Sequence, residues 1–509
     1  MTGEGTEPAW WQTRWFALFL VLLATVPLLY PPIPPLVDLP GHMGRYAVQL
    51  DPSGPLSQWF AFKWRLIGNM GVDLLIVPMS RLFGLELGVK LIILAIPAMT
   101  VAGILGIARE VHGRIPPTTL FALPLAYGHP FIFGFINFSL AMALALLAFA
   151  LWLRMARTGA LQRRPYVFMP LACIIWTAHT FGWGMLGLLC FSGETMRQRD
   201  LGKGWVQAGL RSALSCLPMA LPLIPMVIWR ADAKDMTGDW FAWEIKQRYI
   251  VSTFRDRWQI FDLLSLIVLF GVLVTGLKSK SLRFSRNLGF SAVVLIAVYI
   301  LLPRIIFGSA YADMRLTPFL FVIAIVAIRP LPAASGKVLG VVACAGLTFY
   351  AVRIGAHTIS FAEASSRYDS ALKALDHIPP RSRVVAFTRR TCAVEWSTNR
   401  MEHLSAMAMV RRQSFSNDQW EVSGANLMDT IKVDAPGFAY DPSQLVVQWP
   451  CRIRQAPWKT PDQSLRTLPR PAFDYVWLID PPRYDVRLTT GMTLVWTNGP
   501  DRLYRIDKR

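Results

Sequence analysis

Charge is what this sequence has least of. Only 17% of its 509 residues are Asp, Glu, Lys or Arg, and 53% are hydrophobic; soluble domains carry about a quarter charged residues. Acids are the scarcer sign, with 32 Asp and Glu against 52 Lys and Arg, for a formal charge of +20. The deficit falls on residues 15–355, which run as apolar stretches with short polar breaks, while 356–509 has ordinary soluble composition. A wholly soluble chain is excluded. The composition reads as a polytopic membrane protein with a water-soluble C-terminal part. Nucleic acid is excluded as a partner: the basic residues sit in short loops between apolar runs, where they orient helices, and no basic stripe with interleaved aromatics occurs. Cysteine is rare. Cys173, Cys190, Cys216 and Cys344 lie in apolar runs and read as small core residues. Cys392 and Cys451 lie in the soluble part, where a disulfide and two free thiols are equally consistent with the sequence. No Walker loop, dinucleotide fingerprint, HExxH, CxxC pair or GxSxG is present, so ATP-driven pumping, redox chemistry and serine hydrolysis have no support.

Hydropathy places spans near 15–34, 89–108, 118–130, 134–153, 166–178, 181–196, 212–229, 259–277, 287–303, 314–329 and 337–355, about eleven in all. The first lacks a small-residue cleavage site and reads as an uncleaved helix. Basic clusters at 109–114, 154–164, 197–211, 278–286 and 329–337 share one cytoplasmic side under two conditions. Segment 66–85 must not cross, and 166–196 must be two short helices bent near Ala178-His179-Thr180. This parity puts the N-terminus inside and the C-terminal part outside. The chain then divides into a transmembrane domain, 1–355, with outer loops 35–88 and 230–258, and a soluble α/β domain, 356–509. Strand-like runs in the latter fall at 383–388, 444–448, 474–479 and 492–496, with helices at 361–376 and 403–412.

The polar breaks without basic clusters gather on the outer face, and several carry chemistry. Asp38 and His42 lie four residues apart just after the first span, so they face one another if a helix starts at Pro40. Asp38 is then a candidate general base or metal ligand, and His42 a ligand or proton partner. The alternative is that Asp38 caps the helix 40–50. His129 and Asn137 fall in an aromatic-rich outer turn; Asn137 within an apolar run must pair or line a cavity. His179 marks a bend inside a membrane run. Arg304, Asp313 and Arg315 border the outer loop before the span at 314–329; Arg315 is suited to clamp a phosphate, or alternatively pairs with Asp313. The long outer loop also carries Asp232, Asp235, Asp239, Glu244, Lys246 and Arg248.

One span, then an outer loop with an acid near its start, then a surface helix pair and short polar outer loops, resembles the GT-C glycosyltransferase superfamily. That superfamily includes protein O-mannosyltransferases and lipid A aminoarabinose transferases. Asp38-Leu-Pro-Gly-His42, Gly134-Phe-Ile-Asn137-Phe and Tyr311-Ala-Asp-Met-Arg315 look like a family of uncharacterised bacterial membrane proteins of this layout. The resemblance covers about residues 15–355. It implies an inverting hexosyl or pentosyl transferase using a polyprenyl-phosphate-linked sugar at the periplasmic face of the bacterial inner membrane. The acceptor would be a glycan, lipid or protein, with membrane lipids around it. Asp38 matches the first-loop aspartate, which acts as base or holds a divalent metal (Mg, Mn or Ca), here with His42 as a second ligand. Arg315 and Arg304 would contact the donor phosphate, and His129, Asn137, His179 and Asp313 the substrates. Two features depart from the pattern: Asp38 is a lone acid, and the second outer loop holds no carboxylate. A lipid or small-molecule transporter and a non-catalytic envelope assembly protein are the competing readings. Transporters show repeated halves and mid-membrane charges, and the polar residues here lie at one face.

Overall fold

The computed structural model describes residues 8–229, 237–306, 309–392, 395–421, 426–431, 433–448 and 458–508. Asp232, Asp235 and Cys451 lie outside the described residues. Cys392 is disulfide-bonded, and Cys173, Cys190, Cys216 and Cys344 are free thiols.

Among the described residues, four helices are long and apolar enough to cross a membrane: Leu85–His112, Ile136–Arg157, Gln259–Lys278 and Gly336–His377. The other apolar runs are built from shorter pieces, and proline explains several of them. The expected span 118–130 is a 3₁₀ helix, Pro117–Tyr127, buried throughout and carrying Pro117 and Pro124. Each proline lacks the N–H that an α-helix needs. The run 212–229 is split in the same way into Trp205–Cys216, Leu217–Ala220 and Leu223–Trp229. The run 166–196 is two helices, Arg164–Ala178 and Thr180–Asp200. His179 sits between them in an extended conformation, and its Nδ1 caps the second by accepting from the Phe181 N–H at 3.1 Å. Within the bundle small residues permit close approach. A Cβ on Gly182 would lie 2.6 Å from Ala141, and one on Gly103 2.7 Å from Leu146.

Segment 66–85 forms a helix, Gly71–Phe83, of 13 residues, short of the roughly 20 needed to span. Its Asp73 is fully buried and pairs with Arg45 at 2.8 Å. The last apolar run and the expected lead-in helix of the soluble domain prove to be one element, Gly336–Leu372, of 37 residues. At 1.5 Å per residue it is roughly 55 Å long, well beyond a hydrocarbon core of about 30 Å.

The C-terminal part is a mixed sheet. Its strands run in the order Phe415–Ser416, Arg383–Arg389, Tyr475–Ile479, Asp501–Ile506, Met492–Asn498, with Leu445–Val446 pairing the far end of Arg383–Arg389. The strands around Arg383–Arg389 are parallel to it, and the last two are antiparallel. Tyr475–Ile479 is buried at every position, as expected of a strand covered on both faces.

The first outer loop is stitched into this domain. Phe60–Phe62 pairs with Met428–Thr430 as an antiparallel ladder. Helix Leu39–Leu50 lays Gly41 and Gly44, one turn apart, against the domain. A Cβ on Gly41 would meet Trp420 at 2.6 Å, and one on Gly44 would meet Gln419 at 2.9 Å and Met409 at 3.0 Å. On the other flank, Asp256 contacts His357 of the long helix at 3.1 Å and ion-pairs with Arg400 of the domain. The two hydropathy-defined parts therefore share packed walls.

Candidate active site

A cavity of about 350 Å³ opens where the first outer loop, the outer turns and the C-terminal sheet domain meet. Asp38, His42, Asn137, His179 and Arg315 all line it, although they come from four separate stretches of sequence.

Asp38 precedes helix Leu39–Leu50, but its side chain makes no capping hydrogen bond. The capping alternative is thereby removed, and the carboxylate is left to the cavity. Its backbone is fixed: the Asp38 N–H donates to the Phe133 carbonyl at 3.0 Å. Gly134 allows this approach, with a φ of +101° and room for no Cβ, which would lie 2.7 Å from the Asp38 nitrogen. The imidazole that reaches Asp38 is that of His403 in the soluble domain, with Nε2 4.0 Å from Asp38 Oδ1. His403 Nδ1 lies 3.0 Å from the Asp418 carbonyl. A carbonyl only accepts, so Nδ1 carries the proton and Nε2 of the neutral ring offers a lone pair towards Asp38. Burial raises the Asp38 carboxyl well above the ordinary carboxylate range; Glu402 and Asp441 push it the same way, and Arg390 and Arg315 oppose. Burial lowers His403, with Asp418 and Glu402 opposing. A raised acid beside a lowered base is an arrangement suited to proton transfer.

His42 lines the same cavity, packed among aromatic rings. Its ring lies 5.1 Å from Trp420 and stacks at 6.3 Å on Tyr46, and its Nδ1 is buried without a partner. The metal expectation finds no support in the donor set: among the described residues no three His, Cys, Asp or Glu side chains cluster closely enough to hold an ion. The reason is that the imidazole and carboxylates joining Asp38 are spread around the cavity wall.

Arg315 is 7% exposed in helix Ala312–Val326. Its guanidinium lies 4.4 Å from the centroid of Phe135, 5.7 Å from Phe181 and 6.0 Å from Phe138. One Nη donates to Ser309 at 3.2 Å, and the buried Nε has no partner. Among the described residues no carboxylate lies within salt-bridge distance of it. The anticipated Asp313–Arg315 pair does not form, because Asp313 is taken by Lys246 at 3.2 Å. Lys246 also donates to the Tyr299 and Leu302 carbonyls at 3.0 and 2.6 Å. A buried cation in an aromatic box with a free N–H is prepared for an anion.

The remaining expected residues divide. Asn137 Oδ1 accepts from the Val72 N–H at 2.6 Å, and its Nδ2 donates to Asp73 at 2.9 Å. It borders the cavity while anchoring the short helix beneath it. His129 is hydrogen-bonded through Nδ1 to the Arg255 backbone oxygen at 3.1 Å and lies outside the cavity. Asp313 likewise stands away from the cavity, held in its ion pair. Arg304 pairs with Asp239 at 3.1 Å and lies over Tyr311, at the rim rather than in the lining.

Sequence reasoning missed the far wall. Arg390 and Glu402 form an ion pair at 2.5 Å there, beside His403, Trp420 and Asp441. Burial pushes Asp441 up to about 6, against Gln444 and Arg390. These residues stand more than 350 positions from Asp38, in a region with no membrane signal to mark them.

No family model matches the chain, and no curated protein matches it by sequence. Among solved structures it is similar to ArnT from Cupriavidus metallidurans, a GT-C glycosyltransferase solved with undecaprenyl phosphate bound. The TM-score is 0.50 at 14% identity, and the match covers 96% of each chain. The fold is GT-C-like. This likeness extends beyond the bundle into the soluble domain, so the GT-C resemblance of residues 15–355 holds for nearly the whole chain.

Proposed function

We propose that this protein is a membrane glycosyltransferase that moves a sugar from a polyprenyl-phosphate-linked donor to an acceptor hydroxyl at the periplasmic face of a bacterial inner membrane. The observation that carries this reading is the pairing, in one cavity, of Arg315 without a carboxylate partner and Asp38 without a capping role. The GT-C-like fold supports it, since the similar ArnT structure holds undecaprenyl phosphate.

Arg315 holds the donor phosphate through its free N–H groups, and the phenylalanine box keeps water away and strengthens the contact. Asp38 takes the proton of the acceptor hydroxyl. The acceptor oxygen bonds to the anomeric carbon from the face opposite the phosphate. The bond from the anomeric carbon to the phosphate oxygen breaks, its electron pair leaving with the polyprenyl phosphate, and the anomeric centre inverts. Arg315 stabilises the charge that grows on the leaving phosphate. The proton stays on Asp38, whose raised pKa holds it until the products leave and it returns to water, while His403, its ring fixed by the Nδ1 bond to the Asp418 carbonyl, borders the carboxyl at 4.0 Å.

The test is native mass spectrometry of the purified chain with undecaprenyl-phosphate sugars, for wild type, Asp38→Ala and Arg315→Ala. Wild type and Asp38→Ala should retain the glycolipid and Arg315→Ala should lose it, with turnover absent in Asp38→Ala. Retention by Arg315→Ala, or turnover by Asp38→Ala, overturns the assignment.

A further inference from the structure

A second cavity, of about 460 Å³, lies on the opposite side of the wall formed by residues 389–391 and 395–403. Its size falls within the roughly 300–1,000 Å³ of ligand sites. At the end of strand Arg383–Arg389 neighbouring residues face opposite ways, and further along the wall the chain turns from one cavity to the other. Arg389 lines the second cavity and Arg390 the first; Arg400 lines the second, while Glu402 and His403 line the first.

Its floor lies at the carboxyl ends of two neighbouring parallel strands, Arg383–Arg389 and Tyr475–Ile479. Arg389 closes the first strand, and Asp480 follows directly on the second. In open α/β sheets the crevice outside the carboxyl ends of parallel strands is where ligands bind. Asp480 is held at a φ of +46°, a left-handed conformation that costs a non-glycine residue about 1 kcal/mol or more. The remaining walls come from the long helix, through Glu363 and Ala364, and from the outer-loop residues Arg257 and Trp258.

The lining selects a class of ligand. Every arginine in it stands beside a carboxylate: Arg257 with Glu363, Arg389 with Glu395 at 2.7 Å, Arg400 with Asp256, and Arg367 with Asp501 at 2.8 Å and, within the lining, Asp480 at 4.0 Å. The charges cancel, so neither an anion nor a cation is favoured. Several of the pairs remain one-third or more exposed, including Arg257–Glu363 and Arg389–Glu395. Their spare lone pairs and N–H groups face the cavity, together with Ser397 and Thr398. Alternating donors and acceptors of zero net charge, with the indole of Trp258 beside them, match a neutral polyhydroxylated molecule.

We propose that this cavity binds the neutral saccharide part of the acceptor. The inference rests on the transferase reading and narrows the acceptor to a glycan or a glycan-bearing lipid. Its place across one wall from Asp38 lets the acceptor's reacting end pass over that wall while the rest of the glycan stays held.

The test uses the full chain in detergent on immobilised neutral hexose and N-acetylhexosamine oligosaccharides, with undecaprenyl phosphate binding measured in parallel. Glu395→Gln and Asp480→Asn should each weaken saccharide binding at least tenfold. Ala364→Trp, which fills the cavity and leaves every charge in place, should abolish it. All three should bind undecaprenyl phosphate as wild type does, which also shows that they fold. Equal saccharide binding by Ala364→Trp and wild type overturns the proposal, as does binding of anionic glycans alone. Absence of saccharide binding while undecaprenyl phosphate binds overturns it without touching the transferase reading. Loss of undecaprenyl phosphate binding by wild type would instead count against that reading, and this proposal would fall with it.

Discussion

Replacing Arg315 with Met should weaken donor binding without weakening the fold, and this combination separates a ligand-binding cation from a structural one. Met has similar reach and suits the ring faces of Phe135, Phe138 and Phe181 that surround the guanidinium. A hydrogen bond to a charged group contributes about 1.5–3 kcal/mol, so losing the phosphate contact should raise the dissociation constant for undecaprenyl phosphate by about 10- to 150-fold. On the folding side, the substitution forfeits one hydrogen bond from the charged guanidinium to Ser309, about 1.5–3 kcal/mol, and cation–π attraction of up to about 2 kcal/mol. Against this stands the burial cost of a cation with no carboxylate beside it, which is several kcal/mol. The terms cancel or favour the variant, so the thermal midpoint in detergent should hold or rise. Affinity is read by native mass spectrometry titration and stability by intrinsic-fluorescence unfolding. A variant that binds undecaprenyl phosphate as wild type does and melts several degrees lower would refute the reasoning and make Arg315 a packing residue.

Lys246→Met should behave oppositely, because it strands the fully buried Asp313; breaking such a pair costs about 3–5 kcal/mol, visible as a large drop in melting temperature. The acid limb of the pH–rate profile should follow Asp38. Its carboxyl must be ionised to act as base, so kcat/KM falls as pH drops through its raised pKa. Asp441→Asn and Glu402→Gln each remove a negative neighbour that raises Asp38, so both should move that limb to lower pH, and an unmoved limb in both would disconnect Asp38 from the rate. Gly134→Ala places a methyl 2.7 Å from the Asp38 nitrogen at a left-handed φ, and should cost about 1–3 kcal/mol with loss of turnover. Turnover should survive EDTA, measured on protein dialysed against the chelator.

The membrane half was legible because the bilayer imposes a simple code: apolar length, basic loops and polar breaks. That code placed the break at His179, where the structure has two separate helices, and read 66–85 as a segment that does not cross, where the structure has a helix of 13 residues. It read 118–130 as a membrane-spanning helix, where the structure has a buried 3₁₀ helix with Pro124 inside it. Arg315 and Asp38 could be picked out from their position beside the outer face. Their partners could not. His403, Glu402 and Arg390 reach Asp38 only through the docking of Gly41 and Gly44 on the sheet domain, a long-range event with no periodicity to announce it. Asn137 was singled out as a polar residue needing a partner, but its partner Asp73 lay in a segment read only for hydropathy.

The helix Gly336–Leu372 runs from the bundle into the soluble domain and contains no proline. A splint of this kind leaves no hinge between the two halves, so the domain cannot swing away as a lid would. Any opening between the two parts would have to separate smaller pieces, and the strand ladder Phe60–Phe62 with Met428–Thr430 is the natural seam. Spin labels near the two ends of the long helix should keep one fixed separation through a catalytic cycle, while labels across that ladder should report every opening.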